Sequence, residues 1–148
     1  MNLFSFLLCL VLGLAACGDV FDRVPGQKPS NFSAKDYPAE KGTLFGAWQG
    51  TETKTGSGVS FRLFFNRTGQ VGMEMVCGND KGTFRSSASG SVKVDNNTFT
   101  VQNQLNGSSQ GGCNFSYSPG TLIYFLQDEI LNTSAPQESG IKQLTRLW

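Results

Sequence analysis

From Leu44 onward, apolar residues recur at every second position and are broken at short intervals by turn residues, which is the pattern of half-buried strands. Val59, Phe61, Leu63 and Phe65 fall on one face, with Ser60 and Arg62 on the other. Asn66-Arg67-Thr68-Gly69 supplies a turn, after which Val71, Met73, Met75 and Cys77 alternate with Gln70, Gly72 and Glu74; the two runs predict a hairpin. Similar runs cover Phe45–Thr51, Thr83–Ser87, Ser91–Asp95, Thr98–Gln102, Cys113–Tyr117, Thr121–Leu126, Glu129–Thr133 and Ile141–Leu147. Turn signals such as Asp95-Asn96-Asn97 and Ser118-Pro119-Gly120 join consecutive runs and imply antiparallel neighbours. No amphipathic helical pattern separates them. The expected fold class is therefore all-β, a small antiparallel up-and-down meander of about 8 to 10 short strands closing into a barrel over residues 44–148. Closure also removes the exposed edges of an open sheet. The runs are shorter than the roughly 9 to 11 residues a membrane-crossing strand requires.

The apolar pattern before this body is of another kind. Residues 3–16 are uncharged and nearly all apolar, yet too few to cross a bilayer as a helix, for which about 20 are needed. They fit the apolar region of an export signal. The junction Leu14-Ala15-Ala16-Cys17 resembles the lipobox of bacterial lipoproteins. That resemblance implies a signal peptide over 1–16, removed before a Cys17 whose sulfur carries diacylglycerol. A membrane is then a partner through the lipid anchor, and the location is the bacterial cell envelope. Gly18, not an aspartate, follows the cysteine, which in this family implies the outer membrane over the inner. Residues 17–43 hold Pro25, Pro29 and Pro38 with little apolar periodicity and are expected to be a flexible, lipid-anchored linker reaching about 25 to 30 Å. Pro38 argues against any long helix near Ser33–Lys41.

Composition then narrows the chemistry. Among 148 residues the net charge is +1, so the basic excess of a nucleic-acid module is missing and no nucleic acid is expected as partner. Histidine is absent, which removes Ser-His-Asp and Cys-His catalysis and histidine-ligated metal or haem sites. An enzyme would have to work with carboxylates alone, and Glu52, Glu74, Asp80, Asp95, Asp128, Glu129 and Glu138 fall mostly at expected turns or polar faces. The expected protein is non-enzymatic and monomeric, with no cofactor and no metal. Of the 4 cysteines, Cys9 lies in the signal and Cys17 is the lipid acceptor. Cys77 and Cys113 remain, both on the apolar side of their runs, and in an oxidising compartment they are expected to form a disulfide. No Cys-x-x-Cys spacing supports a redox or metal pair.

Leu44-Phe45-Gly46-Ala47-Trp48-Gln49-Gly50 resembles the Gly-x-Trp signature that opens the first strand of lipocalins and lipocalin-like bacterial domains. Leu144-Thr145-Arg146 resembles their closing strand, whose arginine packs over that tryptophan at the barrel floor. The resemblance implies a calycin-type barrel with Gly46, Trp48 and Arg146 at its floor and a small apolar ligand, or a structural envelope role. A fainter resemblance, of Ser86-Ser87-Ala88-Ser89-Gly90 to the Ser-Ala-Ser-Gly stretch of small lipoproteins that inhibit C-type lysozyme, implies a protein partner instead. In that reading Ser89 and Lys93 form an inhibitor loop directed at a hydrolase. The plainer reading of that stretch is an ordinary strand connection.

Overall fold

Alternation from Gly46 to Arg146 resolves into ten strands in the computed structural model, which describes residues 30–54, 57–80, 82–109, 111–134 and 143–148. They are β1 (Gly46–Lys54), β2 (Ser57–Phe65), β3 (Gln70–Asn79), β4 (Gly82–Asp95), β5 (Thr98–Val101), β6 (Leu105–Gly107), β7 (Phe115–Tyr117), β8 (Gly120–Gln127), β9 (Ile130–Thr133) and β10 (Gln143–Arg146). Eight of them form a closed antiparallel barrel in the order β1-β10-β9-β8-β5-β4-β3-β2, and β6 and β7 form a separate two-stranded sheet. The chain is thus an all-β, up-and-down barrel with one hairpin inserted between β5 and β8. The expected signal 1–16, Cys17 and the first part of the expected linker lie outside the described residues.

Turn chemistry sets the register. In the turn between β2 and β3, Asn66 Oδ1 accepts hydrogen bonds from Thr68 N at 3.1 Å, Thr68 Oγ1 at 2.8 Å and Gln70 N at 3.0 Å. A short amide side chain thereby replaces a backbone turn. The hairpin that follows pairs Leu63 with Met73 and Phe65 with Val71, so its apolar residues share one face. Inside the barrel, Leu44, Trp48, Phe65, Val71, Val92, Phe99, Val101, Leu105, Leu122, Leu131 and Leu144 form one buried cluster.

Two features depart from the expected order. Thr83–Ser87 and Ser91–Asp95 belong to one continuous strand, β4, which pairs with β3 through Ser91 and with β5 from Val92 onward. The glycine-rich stretch Asn106–Gly112 begins in β6. Its hairpin with β7 folds toward the core, with Leu105 fully buried and only 2.7 Å left between Leu105 Cδ2 and the place a Cβ on Gly90 would take.

The expected linker also needs correcting, because residues 31–43 pack onto the outside of the barrel. Ser33–Tyr37 make a single turn, Ser33 O accepting from Asp36 N and Tyr37 N. Phe32 stacks on Phe64 at 4.5 Å, and Tyr37 and Trp148 lie 5.7 Å from the same ring. With Ala47, these residues make a second buried cluster on the outward faces of β1 and β2. Gly72 is required there, since a Cβ would come within 2.5 Å of the Phe32 ring. The unit to which the barrel belongs accordingly runs from Asn31 to Trp148.

Candidate functional site

The floor is built where β10 meets β1. Trp48 and Arg146 are direct cross-strand partners, and the guanidinium sits 4.2 Å from the indole centroid. Arg146 Nη1 donates to Phe45 O at 2.9 Å, and Nη2 donates to Thr43 O at 2.8 Å and Glu40 O at 3.4 Å. Glu129 Oε2 lies 2.5 Å from Arg146 Nε as an ion pair. Trp48 Nε1 donates to Leu44 O at 2.8 Å, so the indole is buried with its one donor satisfied. Gly46 has φ +122, and a Cβ there would approach both Arg146 Nη1 and Trp148 O to 2.9 Å. Glycine, tryptophan and arginine thus fit together as a closing device, with the indole N–H and both terminal guanidinium nitrogens bonded to backbone carbonyls.

Above the floor the described side chains pack the barrel interior closely. The void between Leu63, Phe65, Val71, Met73, Phe99, Val101, Leu105 and Tyr117 measures about 10 Å³. That is room for one water at most. These residues therefore offer no chamber for the expected apolar ligand. The β6–β7 hairpin is the reason: it brings Leu105, Phe115 and Tyr117 onto the core. The Cys77–Cys113 disulfide, with Cα atoms 5.7 Å apart, ties the loop of this hairpin to β3. Burial pushes the Tyr117 phenol up to about 12.

The outward faces carry the remaining chemistry. Glu74, expected on a solvated face, is fully buried. Arg62 Nη1 lies 3.3 Å and Arg85 Nη1 2.6 Å from its Oε1, and Arg62 Nε donates to Gln49 Oε1 at 2.9 Å. Register places Gln49, Arg62 and Glu74 in one row across β1, β2 and β3, which is why the charges meet. Among the described residues, no three acidic or cysteine side chains gather as a metal site.

A groove of about 590 Å³ opens on the outside of the barrel, lined by Asn31, Phe32, Asp36, Tyr37, Asn66, Gln70, Ser89, Gly90 and Ser91. Three pieces build it: the leading turn, the β2–β3 turn and the middle of β4. Asn31 Nδ2 donates to Ser87 Oγ at 2.5 Å, and Asn66 Nδ2 donates to Asp36 O at 3.3 Å, which fix its walls. Ser89 is exposed on this wall, but it belongs to a strand paired with Gly72 and not to a loop, because β4 runs unbroken from Gly82 to Asp95. Lys93 is exposed further along β4, paired with Thr100, outside the groove. The expected inhibitor loop is thus two outward positions on one strand. Phe32, Tyr37 and Gln70 were not expected at any site. Two aromatic rings inside a supposed linker were the signal available, since a solvated tether gains nothing from them.

No protein-family model, no curated protein and no solved structure matches the chain.

Proposed function

We propose that the chain is a non-enzymatic bacterial envelope lipoprotein, anchored through Cys17, whose lipocalin-like barrel acts through its outer surface. The observation that carries the surface reading is the void of only about 10 Å³ between the described core side chains, set against a groove of about 590 Å³ on the outside. The anchor rests on the lipobox resemblance at Leu14-Ala15-Ala16-Cys17. Attached acyl chains supply about 0.8 kcal/mol per buried methylene, so two or more hold a domain on a bilayer.

The test is fractionation and intact-mass analysis of the full chain and its Cys17→Ser variant. The wild-type chain is expected in the membrane fraction with an acylated Cys17 and no apolar small molecule carried through purification. The variant is expected in the soluble fraction. An unmodified Cys17, or a lipid retained in the barrel, overturns the reading. A second reading, inhibition of a hydrolase such as lysozyme, is favoured by the exposure of Ser89 at the rim of the groove. Molar excess of the protein then slows lysis of cells by lysozyme, and no slowing removes it.

A further inference from the structure

Closure of the barrel does not run the length of β4. From Gly82 to Ser91 its only strand partner among the described residues is β3, in consecutive pairs without a bulge, and β5 joins it only from Val92 onward. Ser91 shows which groups the open side presents. Its N–H donates to Asn103 Oδ1 at 2.8 Å and its carbonyl accepts from Gln102 N at 2.9 Å, both on the side away from β3. In an antiparallel ladder a residue sends N–H and C=O to one side and its neighbours send theirs to the other. Thr83, Arg85, Ser87 and Ser89 therefore also direct theirs away from β3. Among the described residues, nothing bonds to the backbone of Thr83, Ser87 or Ser89 on that side.

An open edge is a template for another strand, and edges that stay single are blunted by lysine, proline or a bulge. Gly82–Ser91 has none of the three, and Arg85 is its one charge. At the middle of the stretch, Ser86 is only 3% exposed and its hydroxyl is buried without a hydrogen-bond partner. Such a group marks a missing neighbour. We infer that β4 pairs antiparallel with β4 of a second copy of this chain, about a two-fold axis at Ser86. The register selects this axis. It sets the open backbone of Thr83 against that of Ser89 in the second copy, twice over, and leaves Ser91 to Asn103 and Gln102. Arg85 then stands opposite Ser87, half-buried Phe84 opposite half-buried Ala88, and the two unpartnered Ser86 hydroxyls meet on the axis. An axis at Arg85 would oppose two guanidinium groups, and one at Ser89 would set Arg85 against Lys93, so like charges disfavour both. An axis at Ser87 would set Thr83 against Ser91, whose groups are already bonded. The interface is isologous and closed, so a dimer takes the place of the monomer expected from the sequence.

The test is sedimentation velocity of the full chain in detergent micelles, over about 1 to 300 μM. A monomer–dimer equilibrium with a Kd of about 10 to 100 μM is expected, since one strand edge buries less than the roughly 1,200 Å² of a stable interface. Ser89→Pro removes an N–H that points away from β3, so the ladder and the Tm are kept while the Kd rises at least about 10-fold. Should the proline unfold the chain, two substitutions at Ser87 decide. Ser87→Arg meets Arg85 of the second copy on both sides of the axis and is expected to raise the Kd about 3- to 10-fold, and Ser87→Glu to lower it by a similar factor. Within one copy the order is the reverse, because Ser87 is the cross-strand partner of Glu74, so an effect on stability alone does not produce this split. A monomer at every concentration overturns the inference. A dimer that none of the three substitutions moves also overturns it, and assigns the association to another face or to the micelle.

Discussion

A single guanidinium at the barrel floor does the work of several turn residues. Arg146 holds the carbonyls of Thr43 and Phe45 and covers Trp48, so the leading segment, the first strand and the last strand meet on one side chain. Hydrogen bonds from a charged donor and stacking on indole add, and losing them leaves buried carbonyls unpaired. Arg146→Ala is expected to lower stability by about 2 to 4 kcal/mol in urea unfolding, and Arg146→Lys by less, since an ammonium cannot serve carbonyls in a planar fork. Gly46 is constrained by the same contact. Gly46→Ala must place a Cβ 2.9 Å from the guanidinium at φ +122, whereas Gly42→Ala meets open space at φ +73. The first substitution is expected to cost more than about 2 kcal/mol and the second about 1 kcal/mol, both read from the urea midpoint. These floor residues were legible in the sequence because a tryptophan, a glycine two before it and a distant arginine carry unusual chemistry. Ser89 was legible as a residue but not as a place, since small polar residues suit a strand face as well as a turn.

Among the elements, the β6–β7 hairpin decides what the barrel contains, and it was the hardest to read. β6 is three residues long, Leu105-Asn106-Gly107, and period two has no meaning over so short a run. Fusion of two expected strands into β4 was hidden by Ser86–Gly90, whose small residues look like a turn but serve to admit Leu105 against Gly90. The disulfide, by contrast, followed from alternation and from the expectation of export together. Cys77 and Cys113 are 36 residues apart, so loop-closure entropy gives about 3 to 4 kcal/mol. The Cys77→Ser/Cys113→Ser double variant is expected to lose that much in urea unfolding and to bind ANS more strongly as the hairpin loosens. Tyr117 reports on the same hairpin through pH. Its folded phenol titrates near 12, above its ordinary 10, because burial disfavours the phenolate. Below pH 10 both folded and unfolded forms are protonated and nothing is lost. Between 10 and 12 the unfolded chain ionises first, so stability falls as pH rises, by at most about 1.4 kcal/mol per pH unit from this group. Tyr37 and Tyr124, also raised by burial, add in the same direction. Midpoints measured from pH 9 to 12 should fall, with Tyr117→Phe falling less steeply; parallel curves would show that Tyr117 is solvated.

On the scale of the whole molecule, the barrel has two apolar layers, one inside and one outside. The inner layer could be anticipated from Trp48 and the twelve phenylalanines of the chain. The outer one could not, because period-two alternation assigns Phe64 and Ala47 to the polar face, and only their covering by Phe32, Tyr37 and Trp148 explains them. That covering moves the domain boundary from residue 43 to residue 31 and shortens the expected tether by the same stretch. It also couples the groove to stability, since Phe32 and Tyr37 serve both. Removing residues 1–40 would expose Phe64 and strip the Tyr37 carbonyl from Trp148 Nε1, which donates to it at 2.9 Å. Burial of a large apolar side chain contributes about 1.5 to 3 kcal/mol, so the loss of two rings should cost at least about 3 kcal/mol. A chain beginning at Lys41 is expected to unfold well below the midpoint of one beginning at Ser30. Equal midpoints for the two would return residues 31–43 to the role of a solvated tether and remove one wall of the groove.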